Sequence, residues 1–148
     1  MIDRDLQSIQ DVRTLVTAAR RAADELRLFT QEQIDRIVEA MAQAGTRHAE
    51  ALAKLAVEET GMGRVESKIE KNLFATVHIY EAMKNMKTCG LVRKDPEKGI
   101  IEFAEPFGVV AGIIPTTNPT STALFKILIA IKTRNAIVLS PHPRAIRC

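Results

Sequence analysis

The residues best placed to do chemistry lie in Pro106-Phe107-Gly108-Val109-Val110-Ala111-Gly112-Ile113-Ile114-Pro115-Thr116-Thr117-Asn118-Pro119-Thr120-Ser121-Thr122. An apolar run is followed at once by hydroxyls, a side-chain amide and a helix start. That puts polar groups and free backbone N–H donors at the carboxyl end of a strand and the N-terminus of a helix, the usual ligand crevice of an open α/β sheet. Such a place favours anions and polarised carbonyls. No G-x-G-x-x-G occurs, so the ordinary dinucleotide fingerprint is absent and spacing alone does not name the ligand. Other reactive types are sparse. Cys89 and Cys148 are too isolated for a disulfide framework or a closed zinc site, and His48, His78 and His142 are equally scattered, so no metal role is assigned to any of them.

The 148 residues are 46% hydrophobic and 26% charged, an ordinary globular composition at the size of about one domain. No run approaches the roughly 18 apolar residues a membrane helix needs, and the start Met1-Ile2-Asp3-Arg4-Asp5 lacks the features of a signal peptide. The expected location is the cytoplasm. The net charge of +3 is unevenly spread: residues 120–148 hold Lys126, Lys132, Arg134, Arg144 and Arg147 and no acid. Such a tail either attracts a phosphate-bearing ligand or has its acidic neighbours elsewhere. With one tyrosine and no tryptophan, no basic stripe is interleaved with aromatics, which argues against nucleic acid.

The elements that must position the crevice follow from periodicity. Residues 1–87 read as helices. Leu6, Ile9, Val12, Val16, Ala19 and Ala23 form a first stripe. Thr30-Gln31-Glu32-Gln33 is a capping box opening a second helix with Ile34, Ile37, Val38 and Met41 on its core face, and Gly45 suits a left-handed C-terminal cap. A third segment carries Ala49, Leu52, Leu55 and Ala56 up to Gly61, and a fourth places Val65, Ile69, Leu73, Val77 and Tyr80 inside. Residues 88–105 alternate around the polar connection 94–99 and read as a β-hairpin with Ile101 and Phe103 on one face. From 106 to 148, Val109–Ile114 reads as a buried parallel strand. Asn118 and Pro119 start a nearly all-apolar helix expected to be buried, and Ala136–Leu139 is a second strand stopped by Ser140-Pro141-His142-Pro143. The class is α/β. One right-handed βαβ unit is only the beginning of a doubly wound sheet, so the chain is expected to be the N-terminal part of a larger protein.

Pro106-Phe107-Gly108-Val109, Ile114-Pro115-Thr116-Thr117-Asn118-Pro119-Thr120-Ser121-Thr122, Lys132-Thr133-Arg134-Asn135-Ala136 and Ser140-Pro141-His142-Pro143-Arg144 together resemble the CoA-acylating branch of the aldehyde dehydrogenase superfamily. The likeness is to the aldehyde dehydrogenase half of bifunctional acetaldehyde–alcohol dehydrogenases. Val57-Glu58-Glu59-Thr60-Gly61-Met62-Gly63 and Lys87-Thr88-Cys89-Gly90 match the same group, so the resemblance runs from about residue 50 to the end. It implies that the hairpin is an oligomerisation element and that 106–148 is the first βαβ of an incomplete nucleotide-binding domain. The implied reaction takes an aldehyde, CoA and NAD or NADP to acyl-CoA, through a thioester on a cysteine. The family's nucleophile lies beyond this sequence, and neither Cys89 nor Cys148 takes its place.

Members that make free acids carry Pro-Trp-Asn after the strand, the Asn amide donating to the oxyanion. Here Thr117 aligns with that Asn and Asn118 comes one residue later. Asn118 is the expected donor with Thr117 the alternative, while a helix cap is the competing role for Asn118. The resemblance assigns Ile114, Pro115 and Thr116 to the cofactor crevice. Where free-acid members have Lys-Pro-Ser-Glu on the adenosine ribose, this sequence has Ser140, Pro141 and His142, with Arg144 beyond; these would touch ribose or phosphate, or simply form a rigid turn. The implied partners are a small aldehyde, CoA and further copies of the chain, in a dimer or larger. Two other readings stay open: a non-catalytic truncated module that associates with a full-length subunit, and a related reductase acting on acyl phosphates.

Overall fold

A computed structural model describes residues 3–148. Helix α1 (Arg4–Leu26) leads into α2 (Gln31–Arg47), α3 (Ala49–Thr60) and α4 (Val65–Leu73); a π-helical turn, Phe74–His78, joins α4 to α5 (Ile79–Met83). Strands β1 (Gly90–Asp95) and β2 (Ile100–Ala104) form an antiparallel hairpin with a bulge between Leu91 and Arg93. Strand β3 (Val109–Ile114), helix α6 (Pro119–Lys132) and strand β4 (Ala136–Pro141) follow, with β3 and β4 paired in parallel. None of the described helices is long and apolar enough to cross a membrane.

Local chemistry explains the boundaries. The capping box at α2 is complete: Thr30 Oγ1 accepts from Gln33 N at 3.3 Å while Thr30 N donates to Gln33 Oε1 at 2.8 Å. Gly61 ends α3 with φ 67°, the left-handed region a side chain resists. Strand β4 runs two residues past Leu139 because Ser140 and Pro141 still pair with Ile113 and Ile114.

One core joins the helices to the βαβ unit. Ile34, Val38 and Ala42 of α2 pack with Met83 and with Leu128 of α6. Three expectations are corrected here. Gly45 is no cap: it is buried inside α2, where a Cβ would lie 2.6 Å from Thr76 Cγ2 and 3.0 Å from Leu124 Cδ2, so it is the point of close approach between helices. In α4 and the turn after it, the inward face is Lys68, Asn72, Ala75 and Thr76, while Val77 and Phe74 are exposed, because α4 meets its neighbours through hydrogen bonds rather than an apolar stripe. Helices α1 and α6 bury less than their patterns indicate. Only Ala23 of the α1 stripe is buried, and Phe125 and Ile129 of α6 face an open groove of about 620 Å³, because no described element covers those faces.

The basic tail is also explained from within the chain. Lys132, 2% exposed, donates from Nζ to Asp35 Oδ1 at 2.6 Å and to Lys84 O at 2.9 Å. Arg134, at φ 57°, donates to Arg27 O and Ala104 O, tying the end of α1 to the end of the hairpin. Lys126 donates to Ile113 O, and Arg147 pairs with Glu58 and Glu59. Acids of the earlier helices thus meet Lys132 and Arg147, backbone carbonyls meet Lys126 and Arg134, and of the five cations only the Arg144 side chain has neither kind of partner among the described residues.

Gly45→Ala is expected to destabilise the fold by about 1–3 kcal/mol through overpacking, because Thr76 is a stiff β-branched residue held by its own hydrogen bonds. Adding Thr76→Ser, which deletes the clashing methyl, should recover most of the loss in a denaturant melt. A G45A melt indistinguishable from the unsubstituted protein would refute the close contact.

Candidate functional site

The crevice is built where β3 and β4 end side by side. Ile113 pairs with Ser140 and Ile114 with Pro141, and His142 N donates to Ile114 O at 3.1 Å. Ile114, Ser140, Pro141 and His142 therefore share one sheet end. Ser140 and Pro141 are exposed, His142 is half-buried and Ile114 is buried. The His142 ring serves its own turn: Nδ1 accepts from Arg144 N at 3.1 Å, which leaves Nε2 as the protonated, outward-donating nitrogen. The Arg144 side chain is exposed.

From Ile114 the chain turns through exposed Pro115 to Thr116, whose Oγ1 is buried without a hydrogen-bond partner. A buried hydroxyl without a partner is rare and calls for a bound group or water to satisfy it. Thr117 is exposed and its carbonyl is held by Lys68. Asn118 occupies the residue before α6, but its side chain does not cap the helix. With φ −142° and ψ 62°, its Oδ1 instead accepts from Lys71 Nζ at 2.9 Å. The choice between cap and free amide thus falls against the cap: Nδ2 has no acceptor among the described residues, and Asn118 stands at the positive end of α6, whose first residue, Pro119, has no N–H to be capped.

Three residues missed by the sequence reading hold this turn, all on one face of α4. Lys68, 4% exposed, donates from Nζ to Thr117 O at 2.8 Å. Lys71 holds Asn118. Asn72, fully buried, accepts from Thr120 Oγ1 at 2.9 Å and donates from Nδ2 to Ala49 O at 2.9 Å. Burial lowers the Lys68 pKa from the ordinary lysine value, and the neighbouring Lys71 charge acts in the same direction. Neither lysine has a carboxylate within ion-pair distance among the described residues, so their charge is directed at the turn. The available signal was the i, i+3, i+4 spacing of Lys68, Lys71 and Asn72, which an apolar-stripe reading assigns to solvent.

The cysteines differ from a nucleophile in environment. Burial, together with the hydrogen bond and charge of Glu59, pushes the Cys148 thiol up to about 11. Glu59 accepts from the N–H groups of Ile146, Arg147 and Cys148 at 2.9–3.0 Å, and these bonds, Arg147's foremost, hold its own carboxyl below the ordinary value. Cys89 is half-buried against the helical core. Cys148 should therefore alkylate with iodoacetamide at pH 8 about a hundredfold more slowly than a free thiol, followed peptide by peptide in a mass spectrometer, and Glu59→Gln should accelerate it. A Cys148 rate equal to that of glutathione would contradict this assignment.

The aldehyde dehydrogenase family matches residues 4–147. The bifunctional aldehyde-alcohol dehydrogenase of Escherichia coli is 52% identical over 138 residues, which is 93% of this chain and 16% of that protein. Among solved structures, an acetylating aldehyde dehydrogenase from Geobacillus thermoglucosidasius superposes with a TM-score of 0.95 at 55% identity over 100% of this chain and 33% of that one. A propionaldehyde dehydrogenase from Rhodopseudomonas palustris with bound propionyl-CoA does so with a TM-score of 0.72 at 32% identity, covering 91% of this chain and 30% of that one. The chain spans a sixth to a third of these relatives. Carried by the family match over nearly its whole length, the chain belongs to the aldehyde dehydrogenase family.

Proposed function

We propose that this chain supplies the entry helices and the oxyanion side of the active site of an acylating aldehyde dehydrogenase, converting acetaldehyde, CoA and NAD or NADP to acetyl-CoA and the reduced cofactor. The observation that carries the reading is the Asn118 amide, released from helix capping and held by Lys71 with Nδ2 free. A thiolate attacking an aldehyde carbonyl places negative charge on the oxygen. A free amide at a helix N-terminus is suited to that charge before it develops. Thr117, the alternative donor, has an exposed side chain and contributes its carbonyl to Lys68, which favours Asn118.

The nicotinamide cofactor, when bound, supplies the acceptor for the aldehyde hydrogen. The residues present fit such a group: the Thr116 hydroxyl, without a partner among the described residues, is buried just past the end of β3, Ser140 is exposed on the neighbouring strand opposite Ile113, and His142 retains a donor at Nε2. With Ile114, Pro115 and Pro141 they make up the cofactor crevice of this reading, and Arg144, exposed and two residues past His142, adds a cation whose side chain has no partner among the described residues. CoA enters as co-substrate on the strength of similarity to the acetylating enzyme and to the propionyl-CoA complex. The segments 1–87, 88–105 and 106–148 then correspond to helical lead-in, oligomerisation hairpin and the first βαβ. Exposed Ile101 and Phe103 on the hairpin support self-association.

The nucleophile in this reading is not in the chain, because Cys148 is kept as the thiol and Cys89 packs against helices. NADH formation from acetaldehyde, CoA and NAD⁺ should therefore be absent with this chain and present, in a CoA-dependent manner, with the longest polypeptide its reading frame encodes. Turnover by the chain alone would refute the placement of the nucleophile. No turnover by either, with the chain bound to a full-length subunit, would favour the non-catalytic module.

A further inference from the structure

We propose that Lys71 is a positioning residue for the reaction: its ammonium group fixes which end of the Asn118 amide faces the developing oxyanion. The inference rests on the reading of Asn118 as oxyanion donor. An asparagine amide has two nearly isosteric ends, one donating and one accepting. Rotated by half a turn, it would present Oδ1 to the oxyanion and repel it. In the structure, Lys71 Nζ donates to Oδ1 at 2.9 Å, an interaction only the oxygen end can accept. Nδ2 is then the end left to donate. The same bond draws electron density toward Oδ1 and makes the N–H a stronger donor, as in any hydrogen-bonded chain.

The placement of Lys71 is constrained from both sides. Three residues earlier on α4, the buried Lys68 grips the carbonyl of Thr117, immediately before Asn118. On the next residue, Asn72 accepts from Thr120 Oγ1 in the first turn of α6. The backbone on either side of Asn118 is thus anchored to the helix that carries Lys71, which keeps the amide within reach of that exposed side chain. No described carboxylate competes for Lys71 in an ion pair.

The test uses the longest polypeptide of the reading frame and four single variants. Asn118→Ala and Asn118→Asp, the latter keeping a partner for Lys71 and so protecting the fold, should each lower kcat by about a hundredfold or more. Lys71→Met should lower kcat by about tenfold with the aldehyde KM changed less than about threefold, and Lys71→Arg should restore most of the rate. In the Asn118→Ala background, Lys71→Met should cost nothing further, since it acts only through the amide. Apart from turnover, the side-chain amide order parameter of Asn118 should fall in Lys71→Met and recover in Lys71→Arg. Full activity in Lys71→Met, or the same loss with and without Asn118, would overturn the Lys71 assignment while leaving the oxyanion reading intact. Full activity in both Asn118 variants would overturn the oxyanion reading itself.

Discussion

The fold depends on a polar contact where an apolar one would be expected: the face of α4 that carries Lys68 and Asn72 against the start of α6. Asn72 is a hub. Its Oδ1 accepts from Thr120, its Nδ2 donates to Ala49 O, and its backbone carbonyl accepts from Thr76, whose hydroxyl also accepts from Thr46. These bonds join α2, α3, α4 and α6 in one network. A buried network of this kind is specific because every member must be satisfied, and a shifted register would leave several polar groups without partners at once. The helical half of the chain is thereby locked to the βαβ half in one register, and the site turn between β3 and α6 inherits that precision.

The same economy governs the buried cations. Lys132 and Arg134 lie at the end of α6, where the helix dipole favours positive charge, and each reaches back to an earlier helix or strand for acceptors. Removing one partner from such a contact costs far more than the contact contributes in net stability, because the remaining charge is left in a poor solvent. These residues are therefore framework rather than ligand-binding charge. Lys68 differs in where it points: its acceptor among the described residues is the Thr117 carbonyl of the site turn.

Large apolar surfaces stay open. They are the N-terminal turns of α1, the hairpin residues Ile101 and Phe103, and the Phe125–Ile129 side of α6 with nearly fully exposed Phe107. The groove of about 620 Å³ beside α6 is lined by α6, β3 and the residues flanking the hairpin, and is not touched by Ile114–Asn118 or Ser140–Arg144. Its chemistry is apolar, whereas the candidate site is a shallow polar strand end.

Local physics was legible without coordinates. The capping box at Thr30, the end of α3 at Gly61, the hairpin, though with Lys94 and Asp95 in strand β1 rather than in its connection, and the parallel β3–α6–β4 unit each follow from short-range rules of backbone conformation, donor satisfaction and periodicity. So does the placement of Ile114, Ser140 and Pro141 at one sheet end with Asn118 at the start of α6, because strand ends and helix starts are local features. What tertiary structure alone decided were the long-range pairings: Gly45 as a contact with Thr76 thirty-one residues away, Lys132 and Arg147 of the basic tail paired with Asp35, Glu58 and Glu59, and the polar inner face of α4. Above all, it decided that Asn118 gives its oxygen to Lys71 instead of capping α6. An Asn before a Pro at a helix start carries the same local signal in either role, and only a lysine brought in from forty-seven residues earlier in the chain separates them.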